Sequence, residues 1–263
     1  MRIKEPILSS ISFLTIIPPL IKAEVNEEDL RNSVIFFPVV GFFLGIFSST
    51  LYRILAHFFS REICVLFYLL SLVFLTGGFH IDGLSDTFDG FSIKSTGKRD
   101  EDIERRLKVM SSGTQGPLGS LSVLFVFAFK FFLLSDILLF PGWRIFFTLL
   151  PVYSRTCVVF CMYYGRSAKN EGLGSLFVGK IKKSHLFLSA LSCILLFFAY
   201  AKDLYTVLLL LFLLLPLSLL SLFLCHTFQR RFGGLTGDTL GAIIEISEVA
   251  FLIGCSLCLK FFI

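Results

Sequence analysis

The sequence predicts an all-α integral membrane protein, a helical bundle that crosses the bilayer about seven times and has a short interfacial segment near its start. Hydrophobic residues make up 55% of the 263 positions, and charged residues only 16%. The mean hydropathy is +0.83, whereas soluble domains carry about 25% charged residues. No internal repeat or linker divides the chain, so we expect one membrane-embedded domain over residues 1–263.

Seven apolar segments are long enough to cross about 30 Å of hydrocarbon as helices. An additional apolar segment, 7–21, is too short to cross because Pro18 and Pro19 interrupt it, and we expect it to be interfacial or re-entrant. The predicted spans are 33–59, 62–80, 119–140, 145–163, 185–201, 204–226 and 242–263.

Basic residues concentrate in two connections, 91–118 and 164–184, whereas the alternate connections are short. Loops rich in Lys and Arg stay on the cytoplasmic side of a membrane. We therefore expect the N-terminus and the loops 81–118, 164–184 and 227–241 to face the cytoplasm, and the C-terminus to lie outside. The formal net charge of +5 is modest, so the placement of the charges is more informative than their sum, and no feature predicts nucleic-acid binding.

The seven cysteines all lie in or beside apolar segments. Their odd number and their placement argue against a disulfide framework. We interpret them as buried free thiols, including the C-x-x-C pair Cys255 and Cys258.

Three aspartates follow the second predicted span, in the stretch "GGFHIDGLSDTFDG" at 77–90. On a helix Asp82, Asp86 and Asp89 share one face, because they stand four and three residues apart. Like charges so close repel, and a divalent cation with oxygen ligands, Mg²⁺ or alternatively Mn²⁺, would remove that cost. The alternative is a solvated helix start whose acids favour the helix N-terminus.

A second acidic set lies in "GGLTGDTLGAIIEISE" at 233–248. Asp238 and Glu245 share a helix face, and Glu248 lies about 60° from Glu245. Carboxylates inside an apolar helix face the bundle rather than lipid. We expect all three to be metal ligands; for Glu248 the alternative is a hydrogen-bonded role in helix packing.

Several other residues are candidates for contact with a phosphate-bearing substrate. Basic side chains would pair with its charge, and glycines would let the backbone wrap around it. His80 would serve as a ligand or an acid–base group, or else complete a polar interface. These candidates are His80, Arg155, Arg166, Lys180, Gly172 and Gly174.

Two further patterns predict packing rather than chemistry. Gly41 and Gly45 form a G-x-x-x-G pair, which is typical of close helix contacts in membranes. The Phe-rich stretch "FVFAFKFF" at 125–132 is interpreted as lipid-facing or core surface.

The quoted acidic segments, with "EGLGSLFVGK" and "FFPVVGFFLGIF", resemble the signature segments of the adenosylcobinamide-GDP ribazoletransferase (cobalamin synthase) family over nearly the whole chain. The resemblance implies a Mg²⁺-dependent enzyme of the bacterial inner membrane. It implies adenosylcobinamide-GDP and α-ribazole or its 5′-phosphate as substrates, with GMP released. The family's acidic motifs fall on Asp82, Asp86 and Asp89, taken as catalytic, and on Asp238, Glu245 and Glu248.

One segment departs from the family pattern. In "KVMSSGTQGPLG" at 108–119, Val109 and Ser111 stand where the family has an acid and an Arg.

Partners beyond the substrates and membrane lipid stay open, with a homo-oligomer and other corrinoid-assembly enzymes as the alternatives.

Two other functions compete with this interpretation. CDP-alcohol phosphotransferases also carry several aspartates at a membrane surface, but Asp86 stands where their pattern has Ala, and no Arg follows. A transporter would have its acids near mid-membrane in repeated segments, whereas these cluster at one predicted face.

Overall fold

Helices form nearly all of the chain that the computed structural model describes, which is residues 4–18, 26–169, 171–201 and 204–262. A 3₁₀ turn, Val34–Phe36, joins the second helix to the third. The α-helices of the described residues are α1 (Lys4–Leu14), α2 (Glu27–Ser33), α3 (Phe37–Leu55), α4 (Arg61–Leu75), α5 (Phe79–Ser92), α6 (Arg99–Met110), α7 (Pro117–Ile137), α8 (Arg144–Tyr164), α9 (Leu173–Phe177), α10 (Lys183–Tyr200), α11 (Leu204–Phe232) and α12 (Gly237–Phe262).

The polytopic all-α fold predicted from composition is confirmed. Within the described residues, six helical segments are long and apolar enough to cross a membrane, or seven if one bent pair counts as a span. The six are Glu27–Leu55, Pro117–Ile137, Arg144–Tyr164, Lys183–Tyr200, Thr206–Phe232 and Gly237–Lys260.

The bent pair corresponds to the span predicted at 62–80. Helix α4 stops at Leu75, and α5 leaves it at 87°. The turn is made by Gly77 and Gly78, whose φ values of 65° and 72° lie in the left-handed region that glycine adopts without strain. Because α5 turns away and carries three aspartates, we treat it as lying outside the membrane-spanning segments.

Helix α1 has 11 residues and is therefore about 16 Å long, too short to cross a bilayer. Its end is held by a hydrogen bond from the Ile16 amide to the Leu75 carbonyl, 2.9 Å. This agrees with the short N-terminal segment expected at 7–21, of which residues 19–21 lie outside the described part.

Helix α8 runs through the middle of the bundle and is buried almost throughout. Helix α3 lies directly against it, because a Cβ on Gly41 or Gly45 would overlap the carbonyls of Pro151 and Thr148. The close packing predicted for the G-x-x-x-G pair is therefore confirmed. The seven cysteines are buried and free, as predicted.

Helix α7 shows how lipid-facing and buried positions alternate. Leu124, Phe125, Phe129 and Phe132 are exposed on its outer face, as expected for a surface against lipid. Lys130, in the same Phe-rich stretch, is 4% exposed and points into the bundle.

Candidate active site

Helix α5 lies against the start of α12, and this contact brings the two acidic motifs together. At Gly83 a Cβ would stand 2.7 Å from the Asp238 carbonyl oxygen and 2.9 Å from its Cα. One turn further along α12, a Cβ on Gly241 would lie 3.1 Å from the His80 Cα. Two glycines, one on each helix, thus allow the backbones to touch.

The contact leaves three carboxylates at one surface, which we call the open acidic group: Asp82, Asp86 and Asp238. Asp82 is exposed, and the other two are half-buried. Burial, reinforced by the negative charges of Asp82, Asp238 and Asp89, raises the pKa of Asp86 to about 6. The group therefore concentrates negative charge that a divalent cation would relieve.

Asp89, about two turns beyond Asp82 on α5, is 3% exposed. Its two carboxylate oxygens accept hydrogen bonds from the backbone amides of Gly116 and Gly119, each 2.7 Å. Those amides stand at the N-cap and in the first turn of α7, where unpaired N–H groups and the helix dipole favour a negative charge. Asp89 thus caps α7 from another helix.

This cap also gives a role to the segment that departs from the family pattern. Met110 packs close to Gly90, and Gln115 donates a 3.5 Å hydrogen bond to Ser85 Oγ. The segment therefore joins α6 to α7 across the face of α5 that carries Asp89. Neither Val109 nor Ser111 carries a charge that would replace the expected acid and Arg.

Below the open acidic group, four buried side chains form a charged tetrad: Lys130, Arg155, Glu245 and Glu248. Lys130 Nζ lies 2.6 Å from an oxygen of each glutamate. Arg155 Nη1 lies 2.5 Å from the other oxygen of Glu248. Ser154 Oγ also donates to that oxygen, 2.9 Å away. Two cations here balance two carboxylates, joining α7, α8 and α12.

The six predicted metal ligands are therefore found in two different settings. Asp82, Asp86 and Asp238 have their side chains at an accessible surface, whereas Asp89, Glu245 and Glu248 are engaged with backbone amides or cations. Among the described residues, no three His, Cys, Asp or Glu side chains converge into a ready-made metal cage. Metal ligation by any of the six stays a prediction.

Two of the predicted substrate contacts lie in the interior. Arg155 is 1% exposed and belongs to the tetrad. His80 is also buried, and it lines a cavity of about 20 Å³ together with the four tetrad residues. That volume holds about one water molecule, so these two residues lie beneath the open acidic group rather than on it.

The other predicted contacts surround the start of α12. The Arg166 carbonyl accepts from the Leu235 amide, 2.8 Å, and its Nε donates to the Gly233 carbonyl, 3.0 Å. A Cβ on Gly174 would stand 2.8 Å from the Gly237 amide nitrogen. The loop that carries these residues therefore packs on the turn that presents Asp238.

Three members of this loop remain accessible. Gly172, with φ 98°, stands directly before α9, and a Cβ there would meet nothing within 4 Å. The Lys180 side chain is exposed. Lys169 is also exposed and lies close enough to interact electrostatically with Asp238. The open acidic group thus has the exposed basic side chain of Lys169 near it.

Lys130 is the residue that the sequence-based interpretation missed. It was included in a stretch interpreted as lipid-facing or core surface, because phenylalanines surround it. A lysine eleven residues inside the span predicted at 119–140 is itself a signal, since ionisable groups within membrane helices are costly and turn toward partners.

Comparison with known proteins identifies the family. A profile described as cobalamin-5-phosphate synthase matches residues 6–256. An adenosylcobinamide-GDP ribazoletransferase of Thermodesulfovibrio yellowstonii is 38% identical over 94% of each chain. Proteins of the same name from Thermoanaerobacter pseudethanolicus (34% identical, 96% of each chain) and Clostridium botulinum (31%, 94% of this chain and 95% of that one) also match.

No solved structure matches the chain. The family profile nevertheless covers almost its whole length, including both acidic motifs and the loop at 171–180. The relatives likewise align over nearly all of both chains. The chain therefore belongs to the cobalamin-5-phosphate synthase family.

Proposed function

We propose that this protein transfers the cobinamide phosphoryl group of adenosylcobinamide-GDP to α-ribazole or its 5′-phosphate, with release of GMP. The names of its relatives and the match to the family support this reaction. The product is adenosylcobalamin or its 5′-phosphate. The enzyme would then act late in the assembly of the corrinoid nucleotide loop.

In this reaction a ribose hydroxyl of the acceptor attacks the phosphorus nearer the corrinoid. A new P–O bond forms, the bond to the GMP phosphate breaks, and the hydroxyl proton is lost. The chain's task is to hold two polyanionic or polar substrates in line at a membrane surface.

The open acidic group is the observation that carries the proposal. Asp82, Asp86 and Asp238 offer the oxygen ligands that Mg²⁺, or alternatively Mn²⁺, prefers, and such ions are usually held by one or two carboxylates plus substrate phosphates. This fits a site without a closed protein cage. When bound, the metal would neutralise charge on the diphosphate.

The neighbouring loop supplies the positive charge. Lys169, beside Asp238, and Lys180 have exposed side chains that can contact phosphate oxygens as GMP leaves. Gly172, where an added Cβ would meet nothing within 4 Å, leaves room for a ligand beside the backbone. We propose that these residues bind the nucleotide, whereas His80 and Arg155 support the site from below.

We further propose that the protein lies in the bacterial inner membrane with the open acidic group facing the cytoplasm. The helices described above support membrane insertion. The basic loops 91–118 and 164–184 support the orientation, since such loops stay inside. Self-association and contact with other corrinoid-assembly enzymes remain predictions.

The test is turnover by membranes that contain the protein, given adenosylcobinamide-GDP and either acceptor, with and without Mg²⁺. GMP and the corrinoid product are followed together, and we expect both only when metal is present. Asp82→Ala should abolish turnover in inserted protein. Asp136→Asn is the matched control, because Asp136 pairs with Lys260 rather than with the open acidic group.

Failure of inserted wild-type protein to form product with either acceptor would overturn the proposal. CDP-alcohols would then be the next substrates to test. Wild-type turnover by Asp82→Ala would leave the reaction standing but remove Asp82 from the metal site.

A further inference from the structure

Lys130 links the transmembrane part of the bundle to the proposed site. Its side chain is 6% exposed, and its ammonium group contacts both glutamates of α12 at 2.6 Å. The hydrocarbon around α7 offers no solvent to this charge. Lys130 therefore depends on Glu245 and Glu248, and they depend on it and on Arg155.

Charge balance couples the four members of the tetrad. Removing Lys130 alone would leave two carboxylates with one cation in the interior, and an unpaired buried charge is strongly destabilising. Removing Lys130 and Glu245 together would leave Arg155 paired with Glu248. Removing Lys130 and Glu245 together should therefore destabilise the protein less than removing Lys130 alone.

The tetrad lies on the same helix face as the proposed site. Asp238 and Glu245 are seven residues apart on α12, which is two turns and about 10 Å along the axis. Helix α7, which carries Lys130, begins at the amides that Asp89 of α5 holds. The Asp89 contact thus ties α5 to α7, and the tetrad ties α7 to α12.

We propose that Lys130 is a positioning residue: by neutralising Glu245 and Glu248 it clamps α12 to α7 and so fixes Asp238 against α5. The two glutamates then act as counter-ions of Lys130 and Arg155 and not as metal ligands. The functional part of this inference rests on the proposed reaction. The clamp itself can be tested without substrate.

The experiment compares Lys130→Gln, the double variant Lys130→Gln/Glu245→Gln and Lys130→Arg, all purified in nanodiscs. Lys260→Gln is the control, because the Lys260–Asp136 pair, 3.0 Å, also joins α12 to α7 but at their far ends. Two quantities are measured for each: the unfolding midpoint, and the Mg²⁺ concentration that half-saturates the upward shift of that midpoint. Turnover is recorded in parallel.

We expect Lys130→Gln to lower the unfolding midpoint by about 10 °C and to raise the Mg²⁺ requirement about tenfold. The double variant should recover at least half of the midpoint loss and return the Mg²⁺ requirement to within about twofold of wild type. Lys130→Arg should give a midpoint and a Mg²⁺ requirement between those of Lys130→Gln and the double variant. Lys260→Gln should leave the Mg²⁺ requirement unchanged.

Three results would overturn the inference. A double variant that needs more Mg²⁺ than Lys130→Gln would make Glu245 a metal ligand. A lower midpoint with an unchanged Mg²⁺ requirement would make Lys130 merely structural. An equal effect of Lys260→Gln would mean that any loosening of α7 and α12 suffices. Absence of turnover in the wild type would refute only the proposed reaction, because the midpoint measurements use no substrate.

Discussion

Gly83 of α5 lies directly against the backbone of Asp238 at the start of α12. A methyl group at Gly83 would come within 2.7 Å of the Asp238 carbonyl oxygen, closer than two such atoms can approach. The two acidic motifs, which lie more than 140 residues apart in sequence, therefore meet only because this position has no side chain.

Replacing Gly83 with Ala should separate α5 from α12 and reduce turnover. The added carbon meets backbone atoms, which cannot rotate away as a side-chain tip can. Since small displacements of a reacting group can cost about 100-fold in rate, we expect turnover to fall at least about tenfold while the protein still inserts. The measurement is steady-state GMP release at saturating Mg²⁺.

Gly237→Ala is the matched control for that variant. Gly237 adjoins the same aspartate, but a Cβ there meets nothing within 4 Å. It should keep turnover within about twofold of wild type. Equal loss in both variants would mean that the region tolerates no added carbon, whatever its contacts.

Asp89→Asn should destabilise the protein without changing its need for metal. Both oxygens of Asp89 accept from amides of α7, and an asparagine would turn a donor toward one of them. Loss of such a cap costs about 1–2 kcal/mol. The measurement is the unfolding midpoint together with the Mg²⁺ titration. A large rise in the Mg²⁺ requirement would instead support the original assignment of Asp89 to the metal.

Much of the architecture could be predicted from the sequence, because membrane insertion leaves a strong local signal. Runs of apolar residues located the spans, and the G-x-x-x-G at Gly41 and Gly45 indicated close packing. The clustering of Asp82 and Asp86 followed from helical periodicity alone. The limit of such reasoning appears at 62–80, where two glycines turn the chain before the apolar signal ends.

The partners of buried charges could not be predicted, because pairing depends on which helices become neighbours. Periodicity placed Asp89 on the same face as Asp82, but it gave no sign that the first turn of α7 would occupy its carboxylate. Glu245 and Glu248 were likewise expected to bind metal because Lys130, their partner in the structure, lies more than 100 residues away in a Phe-rich stretch.

Asp102 should control the order of the loop that follows α5. Its carboxylate accepts hydrogen bonds from Ser95 Oγ, from the Thr96 amide at 2.7 Å and from Thr96 Oγ1 at 2.9 Å. Asp102→Ala removes these acceptors. We expect amide hydrogen exchange in the 93–98 peptide to accelerate at least about tenfold, with Glu104→Ala, an exposed position on the same helix, leaving it unchanged.

The pH dependence of this loop follows from the same contacts. Hydrogen bonds from Ser95 and Thr96 lower the pKa of Asp102 to about 2. A group whose pKa is lower in the folded state stabilises the fold above its unfolded value of about 3.9 and loses that effect as the pH falls toward 2. The protection factor of the Thr96 amide should therefore be the same at pH 5 and pH 7. A decline between those values would contradict the arrangement.

Asp238→Asn should raise the Mg²⁺ concentration required for turnover more than it lowers stability. The side chain is half-buried, it accepts a 3.3 Å hydrogen bond from Thr236 Oγ1, and an amide oxygen can keep that bond. What the change removes is negative charge at the open acidic group, and metal affinity depends on ligand charge. We expect the Mg²⁺ requirement to increase at least about tenfold and the unfolding midpoint to move by less than about 3 °C.

Thr236→Val separates the effect of the Asp238 charge from the effect of the geometry of the turn that presents it. It removes the hydroxyl that donates to Asp238 and that also accepts from the Thr239 amide, 3.2 Å, but it leaves every carboxylate in place. The first turn of α12 should loosen, so the unfolding midpoint should fall while the Mg²⁺ requirement changes by less than about threefold. If Thr236→Val raised the Mg²⁺ requirement as much as Asp238→Asn, the geometry of the turn, and not the charge of Asp238, would govern metal binding.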